Sequence, residues 1–268
     1  MTAIERNNVS VDGPEGARPM VFVHGFGCDR SMWRDVAPAF AQTHRVITFD
    51  LTGMGGSDLS AYEPRRYADL QTHADDLLEI LEELSLRDVC ITGHSIGASI
   101  ALLAANRAPD RVSQLVMVSP SPAFLDDTGA GYRGGFAREE IEGLVGLLEE
   151  NHLGWSMQMA PTLTGQPGEA PSTETLTQSF CRTDPEIAGH FGRVTFFSDR
   201  RADFEHAACP VLILHCSDDA LVPMDVAEWM RTHVPGATLE VLDATGHCPH
   251  MTVPGEVVET MRTHLGTG

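Results

Sequence analysis

VCITGHSIGA, residues 89–98, is the stretch that decides the fold of this chain. Val89–Gly93 is a short apolar run typical of a buried strand, and Ser95–Asn106 continues directly from it with a helical pattern. The turn between them carries Gly-x-Ser-x-Gly, the pattern of a nucleophile elbow, which holds its serine in a strained backbone conformation. The start of the following helix favours developing negative charge. We therefore predict that Ser95 is a nucleophile at the end of a strand.

Apolar runs alternate with amphipathic stretches on both sides of this turn, which is the pattern of parallel strands connected by helices. Amphipathic helices are predicted at Tyr67–Leu84, at about 224–232 and at about 254–265. Buried strands are predicted at Met20–His24, Arg45–Asp50, Val89–Gly93, Leu115–Ser119, Val211–Cys216 and Thr238–Leu242. The predicted fold class is therefore α/β, with a mostly parallel central sheet flanked by helices.

A helical segment interrupts this alternation between residues 123 and 208, where no convincing strand is found. Its helix starts carry capping or proline signals, such as Ser172 with Glu174 behind it, and Asp184 before Pro185. Four helices are predicted at Phe136–His152, Gly154–Thr164, Ser172–Thr183 and Pro185–Phe197, with a loop at 165–171. We therefore predict a core domain of residues 1–122 and 209–268 with a helical insertion at 123–208.

A serine hydroxyl is a weak nucleophile, so Ser95 needs a base and an acid that orients it, in the chain order serine, acid, histidine. Asp218 and Asp219 follow the strand Val211–Cys216, at the edge where open parallel sheets place their sites. We favour Asp219 as the acid. Asp218 remains the alternative, and is otherwise a solvated turn residue, because two ionised carboxylates side by side in a buried site would be costly.

The predicted base is His247, which lies in GHCPH (246–250) after the last strand, where Gly246 permits close approach. His250 is its nearest rival among the 12 histidines. A metal site formed by His247 and His250 is disfavoured, because Pro249 interrupts helical presentation and the sequence offers no evident third ligand nearby. We predict neither a metal nor a cofactor.

The segment HGFG (24–27) follows the first clear strand, where an acyl-transfer enzyme of this fold would place one oxyanion-binding amide. We predict that the backbone N–H groups of Phe26 and Ile96 are the two donors to the oxyanion. The alternative interpretation of His24-Gly25 is a tight turn with no catalytic role. The glycine-rich turn at 50–57 lacks the Gly-x-Gly-x-x-Gly order and no helix opens directly after it. It does not indicate a nucleotide site.

Composition excludes several classes of partner and chemistry. A net charge of −20 disfavours nucleic acid and anionic membrane surfaces as partners. The chain contains arginine but no lysine, which excludes P-loop phosphate binding and lysine Schiff-base catalysis. No apolar run is long enough to span a membrane, and residues 1–16 lack the apolar core of an export signal, so the cytoplasm is the expected location. The six cysteines form no Cys-x-x-Cys pair and are expected to be reduced and mostly structural.

Taken together, these segments resemble the α/β-hydrolase family, and more closely the RsbQ-type bacterial hydrolases and their plant karrikin and strigolactone receptor relatives. The resemblance spans nearly the whole chain, and the segments in the insertion discriminate this group from other hydrolases. It rests on HGFGCDRSMW at 24–33, FDLTGMGGSD at 49–58, GHSIGA at 93–98, GGFAREEIEGL at 134–144, FCRTDPEIA at 180–188, FFSD at 196–199 and GHCPHM at 246–251. It implies Ser95, Asp219 and His247 as a catalytic triad, with Phe26 and Ile96 as oxyanion amides.

The resemblance also implies a V-shaped lid of four helices over an apolar pocket. The lining positions that it implies are Phe136, Trp155, Met159 and Phe196 from the lid, with Phe26, Phe124 and Leu221 from the core. Many of these side chains could equally be ordinary core residues, because lid helices must also pack on each other and on the sheet. Gly97 keeps the full Gly-x-Ser-x-Gly pattern, whereas plant receptors of this group can carry serine there, which favours the bacterial branch.

Two functions are compatible with these motifs. The first is a serine hydrolase that cleaves a small, largely apolar ester or lactone through an acyl-enzyme intermediate. The second is a ligand-sensing hydrolase with slow turnover that regulates a stress response by contacting a signalling protein partner, as the resemblance implies. Carbon–carbon bond hydrolysis and cofactor-free peroxide chemistry also remain open, because a fold does not determine a reaction.

Overall fold

A mixed, mostly parallel sheet organises the computed structural model, which describes residues 1–266. Within these residues seven strands pair in the order β1-β3-β2-β4-β5-β6-β7, with β1 antiparallel to β3 and the other pairs parallel. The strands are β1 Ser10–Asp12, β2 Arg18–Val23, β3 His44–Thr48, β4 Val89–His94, β5 Val112–Val118, β6 Val211–Asp218 and β7 Ala237–Thr245. The predicted α/β class with a mostly parallel sheet is confirmed.

Eleven α-helices accompany the strands within the described residues. They are α1 Ala3–Arg6, α2 Leu70–Glu83, α3 Ile96–Arg107, α4 Arg138–Glu150, α5 His152–Thr164, α6 Pro171–Arg182, α7 Pro185–Phe196, α8 Arg201–Phe204, α9 Met224–His233, α10 Pro249–Thr252 and α11 Pro254–Leu265. Helix α1 precedes β1, α10 and α11 follow β7, and the others lie between strands in the chain. Helices α4 to α8 all lie between β5 and β6 in the chain, where the sequence pattern predicts helices without strands.

Alternation along the central strands sends side chains into two separate cores. Val21 and Val23 of β2 pack on one face of the sheet, in a cluster that includes apolar residues of α2 and α3. Met20 and Phe22 pack on the opposite face, with apolar residues of α11. Because successive strand residues point to opposite faces, burial on both faces explains why these strands are apolar throughout.

The largest difference from the sequence prediction is β1, which the apolar pattern does not indicate. It is a three-residue edge strand, and its central Val11 is 43% exposed. Because the strand is not buried, its residues need not be apolar, and the sequence shows no apolar run there. The capping signal assigned to Ser172 is also wrong, because α6 begins one residue earlier at Pro171, with Ala170 at its N-cap. The Asp184 cap is confirmed, since its carboxylate accepts from the Glu186 and Ile187 amides.

None of the helices formed by residues 1–266 is both long enough and apolar enough to cross a membrane. All six cysteines lie within the described chain and are free, four of them buried.

Candidate active site

The turn that joins β4 to α3 holds Ser95 in a backbone conformation that L-residues rarely adopt, with φ +52° and ψ −122°. Both flanking glycines are required by the packing around this turn. A Cβ atom on Gly93 would lie 2.6 Å from the Ala98 nitrogen, and one on Gly97 would lie 2.6 Å from the Val23 carbonyl oxygen of β2. The Gly-x-Ser-x-Gly pattern is therefore explained by close approach of the neighbouring helix and strand.

Later strands bring a histidine and an aspartate to this serine. The Ser95 hydroxyl lies 2.9 Å from His247 Nε2, and His247 Nδ1 lies 3.0 and 2.9 Å from the two oxygens of Asp219. His247 follows β7 and Asp219 follows β6, so parallel strand ends place both groups at the same edge of the sheet. Because a carboxylate can only accept, Nδ1 carries the hydrogen and Nε2 is free to accept from the serine.

The carboxylate of Asp219 is fully buried, yet it is held in its charged form. Burial alone would raise the pKa of Asp219, but the charge and hydrogen bond of His247, the charge of His215 and the Leu221 amide outweigh burial and lower it. One oxygen accepts from the Leu221 and Val222 amides at 2.9 and 3.0 Å. These bonds fix the carboxylate toward the imidazole.

The structure separates the two alternatives that the sequence leaves for each role. Asp218 is exposed, and its backbone carbonyl accepts from the Gly246 amide at 2.8 Å. His250 is buried behind the site, with its ring 4.2 Å from that of His94, and burial lowers its pKa to about 3. The residues brought to Ser95 are thus Asp219 and His247.

The segment after β2 is fixed by a buried histidine. His24 Nε2 accepts from the Leu51 amide at 2.9 Å, so its Nδ1 carries the hydrogen and donates to the Gly25 carbonyl, also at 2.9 Å. From the opposite side, the Ser179 hydroxyl of α6 donates to the Gly27 carbonyl at 2.9 Å. Phe26 lies between these two anchored residues, in the segment that we call the oxyanion loop (24–28).

The second nominated donor belongs to a helix. Ile96 is the first residue of α3, so its N–H lies in the first turn, where amides have no acceptor within the helix. The amide directly follows Ser95 in the chain, and the positive end of the helix dipole adds to the field at this amide. Its position therefore suits a negative oxygen formed at a carbon bound to Ser95.

An apolar cavity of about 30 Å³ adjoins Ser95 and His247. Of the pocket positions implied by the resemblance, Phe26, Phe124, Phe196 and Leu221 line it. The remaining lining residues, to which the sequence reasoning assigns no pocket role, are Cys28, His94, Leu163, Leu176, Phe180, Thr195 and Cys248. This volume is well below the roughly 300–1,000 Å³ of typical small-molecule sites.

The other three implied pocket positions lie elsewhere. Trp155 is buried against the Phe26 ring, with a centroid distance of 5.8 Å, and lies behind the lining residues. Met159 is half-buried against the main core. Phe136 precedes α4, pairs with Leu125 and lines a separate surface depression beside Leu221. The amphipathic pattern of the inserted helices predicts burial of these residues but not which of them faces the cavity.

A larger groove of about 800 Å³ lies behind the oxyanion loop, where Asp29, Asp50 and Arg182 line it. None of Ser95, Asp219 and His247, all of which the structure describes, lines this groove. The candidate site is therefore the small cavity that contains the serine and histidine. No group of three or more metal-ligating side chains is found among residues 1–266.

A serine held in a strained turn between strand and helix, with an aspartate after β6 and a histidine after β7, defines an α/β hydrolase. The alpha/beta hydrolase family model matches residues 20–260. The chain belongs to this family.

Its relatives include plant proteins and a bacterial hydrolase. The strigolactone esterase RMS3 of Pisum sativum is 36% identical over 96% of this chain and 96% of its own length. The karrikin insensitive 2 receptor CA of Petunia hybrida is 30% identical over 97% and 96%. The structure of olei00960, a hydrolase from Oleispira antarctica, is 37% identical with a TM-score of 0.94, covering 99% of this chain and 97% of that one. The resemblance stated from the sequence motifs is confirmed.

Proposed function

We propose that this protein is a serine hydrolase that cleaves a small, largely apolar ester or lactone. The observation that carries the proposal is the hydrogen-bonded chain from Ser95 through His247 to Asp219, with bonds of 2.9 to 3.0 Å, opening into an apolar cavity. An apolar wall disfavours charged substrates, because a charge loses its hydration there without gaining a partner. A neutral acyl group is the better occupant.

The reaction proceeds by acyl transfer in two halves. His247 Nε2 accepts the hydroxyl proton as Ser95 attacks the carbonyl carbon, and Asp219 stabilises the imidazolium that forms. The amides of Phe26 and Ile96 bind the tetrahedral oxyanion. His247 then gives its proton to the leaving alkoxide, and water activated by the same imidazole releases the acyl group.

Entry of a substrate requires movement of the inserted helices, because a cavity of about 30 Å³ is too small for an ester. We propose that residues 123–208 form the lid over the site, on a core of residues 1–122 and 209–268. Helices α5, α6 and α7 supply Leu163, Phe180 and Phe196 to the cavity wall. Separation of these helices from the core would enlarge the cavity at its apolar side.

The test compares hydrolysis of p-nitrophenyl acetate and butyrate by the parent protein, Ser95→Ala and Ser99→Ala. Ser99 is a matched control, because it is also a buried serine and lies in α3 one turn beyond the nucleophile. We expect the Ser95 variant to lose turnover while keeping the parent's circular dichroism, and the Ser99 variant to retain activity. Turnover retained by Ser95→Ala would refute the assignment.

A second function, a slow hydrolase that senses a ligand and signals through a protein partner, is favoured by two observations. The cavity of about 30 Å³ is walled in part by the inserted helices, so binding of a larger ligand would move these helices and change the protein surface. The relatives include a karrikin insensitive 2 receptor that is 30% identical. With ester in excess over protein, a burst of p-nitrophenol equal in amount to the protein, followed by very slow turnover, supports sensing, whereas steady turnover supports an ordinary esterase.

A further inference from the structure

His94, the last residue of β4, contacts all three segments of the candidate site and has no place in the mechanism above. It immediately precedes Ser95 in the chain. Its Nε2 lies 2.9 Å from the backbone carbonyl oxygen of His247. A Cβ atom on Gly25, the residue before Phe26, would lie 2.6 Å from its Nδ1, so the ring edge packs directly on the oxyanion loop.

The partners of His94 fix its protonation state. A carbonyl oxygen can only accept, so Nε2 carries the hydrogen and donates. Nδ1 is buried and has no hydrogen-bond partner within residues 1–266, so nothing there stabilises a second proton. Burial, with the nearby His250 and His247 adding to it, lowers the pKa of His94 well below its usual range. His94 is therefore neutral, and its ring makes one hydrogen bond, in which Nε2 donates to the His247 carbonyl.

The backbone of His247 makes two hydrogen bonds, one to His94 and one to α5. The His247 amide donates to the Leu163 carbonyl of α5 at 2.6 Å, whereas its carbonyl accepts from His94. The N–H group of His247 is thus bonded to inserted helix α5, and its carbonyl group is bonded to His94 at the end of β4. Together with the bonds of the His247 ring to Asp219 and of the Gly246 amide to Asp218, the His94 bond opposes any shift of His247 that a movement of α5 would cause.

We propose that His94 is a positioning residue, which holds His247 in register with Ser95 by donating from Nε2 to the His247 carbonyl. This inference rests on the proposed hydrolase function. The His94 ring lines the cavity, but its hydrogen bond acts on the position of His247 and therefore on the rate of proton transfer.

The test uses variants that separate the donor from the ring. Gln places an amide nitrogen near the position of Nε2, so His94→Gln retains a donor toward His247. Phe keeps the ring volume without a donor, and Asn is one bond shorter, with its nitrogen near the position of Nδ1. His250→Phe is the matched control, because it alters a neighbouring buried ring that contacts His94 and Trp33.

Two probes measure each variant: kcat and KM for p-nitrophenyl butyrate, and the rate at which a fluorophosphonate labels Ser95. In labelling, the Ser95 oxygen bonds to phosphorus, fluoride leaves, and His247 takes the hydroxyl proton. We expect His94→Phe and His94→Asn to lower kcat and the labelling rate about 10- to 100-fold with KM changed less than about threefold, as for a small misplacement of a catalytic group. His94→Gln and His250→Phe should stay within about threefold of the parent.

The proposal is overturned if His94→Phe or His94→Asn folds like the parent and keeps its kcat, or if His94→Gln loses as much activity as His94→Phe. Failure of both the Phe and Asn variants to fold, as judged by circular dichroism, also overturns it, because the bond would then determine folding. Failure of the parent itself to react with either probe would refute the hydrolase function, an outcome distinct from normal reactivity in all His94 variants.

Discussion

Replacing His73 with phenylalanine is expected to make the protein less sensitive to acid. His73 lies on α2 and is fully buried, with its ring 4.7 Å from Tyr67 and 5.0 Å from Phe191. Neither ring nitrogen has a hydrogen-bond partner in the part of the chain that the structure describes. Burial, with smaller effects of His24 and His190, lowers the pKa of His73 to about 3. Phenylalanine keeps an aromatic ring there and removes the titrating group.

The size of the effect follows from proton linkage. An unfolded histidine has a pKa of about 6.5, so between about pH 6.5 and pH 3 the unfolded chain binds a proton at this position that the folded protein does not. Unfolding is therefore favoured as the pH falls through this range. At pH 5, about 1.5 units below the unfolded pKa, the loss is about 2 kcal/mol relative to pH 7.5.

The assay is equilibrium urea unfolding, followed by circular dichroism, at pH 7.5 and pH 5.0. Between the two pH values the free energy of unfolding of the parent should fall by about 2 kcal/mol more than that of His73→Phe. The other buried histidines are common to both proteins and cancel. His206→Phe, at an exposed position, is the control and should follow the parent. Equal pH dependence in the parent and His73→Phe, within about 0.5 kcal/mol, would refute the reasoning.

Two further predictions concern the site. Asp219→Asn should lower kcat for p-nitrophenyl butyrate about 10³- to 10⁴-fold, because the amide no longer selects the Nδ1-protonated tautomer of the base, whereas the exposed Asp218→Asn should stay within about twofold. Gly97→Ala would place a Cβ 2.6 Å from the Val23 carbonyl oxygen and should lower the free energy of unfolding, measured by thermal unfolding, by about 3 kcal/mol or more. Gly143→Ala in α4 is the control, because its Cβ would meet open space, and it should be neutral or stabilising by up to about 1 kcal/mol. Equal stabilities of the two variants would contradict the packing argument.

The elbow and its partners could be predicted from the sequence because they depend on short-range patterns and on the ends of strands. The glycines around Ser95 each lie two positions from it, and their contacts with β2 and α3 follow from any strand, turn and helix of this kind. Asp219 and His247 each follow an apolar strand, and parallel strands bring their carboxyl ends to one edge. The sequence favours Asp219 over Asp218, and the structure places Asp219 against His247 while Asp218 is exposed.

The cavity wall could not be predicted, because it depends on the rotation of each inserted helix about its own axis. Amphipathic periodicity identifies a buried face, but it does not say whether that face meets the sheet, another helix or the cavity. Trp155 and Met159 are placed behind the lining residues for this reason, whereas Leu176 and Phe180 line the cavity. Nothing in the local sequence marks these two.

The buried histidines could not be predicted for a different reason, since their bonds join segments far apart in the chain. His94 donates to a carbonyl 153 positions later, and His24 accepts from an amide 27 positions later. In the sequence both look like members of ordinary strand ends. Only the tertiary arrangement shows that each is neutral and which ring nitrogen carries its hydrogen.

Phe26 contributes to the candidate site through its backbone amide and contacts the inserted helices through its side chain. Its backbone amide is the nominated oxyanion donor, and its side chain packs among rings of the inserted helices, with centroid distances of 5.8 Å to Trp155, 6.4 Å to Phe180, 5.8 Å to Phe191 and 5.7 Å to Phe196. Under the proposed function these rings would have to separate to admit an ester, because the cavity holds only about 30 Å³. Admission of a ligand and alignment of the Phe26 amide would then be coupled, because helices that closed over a bound ligand would also return this amide to its position.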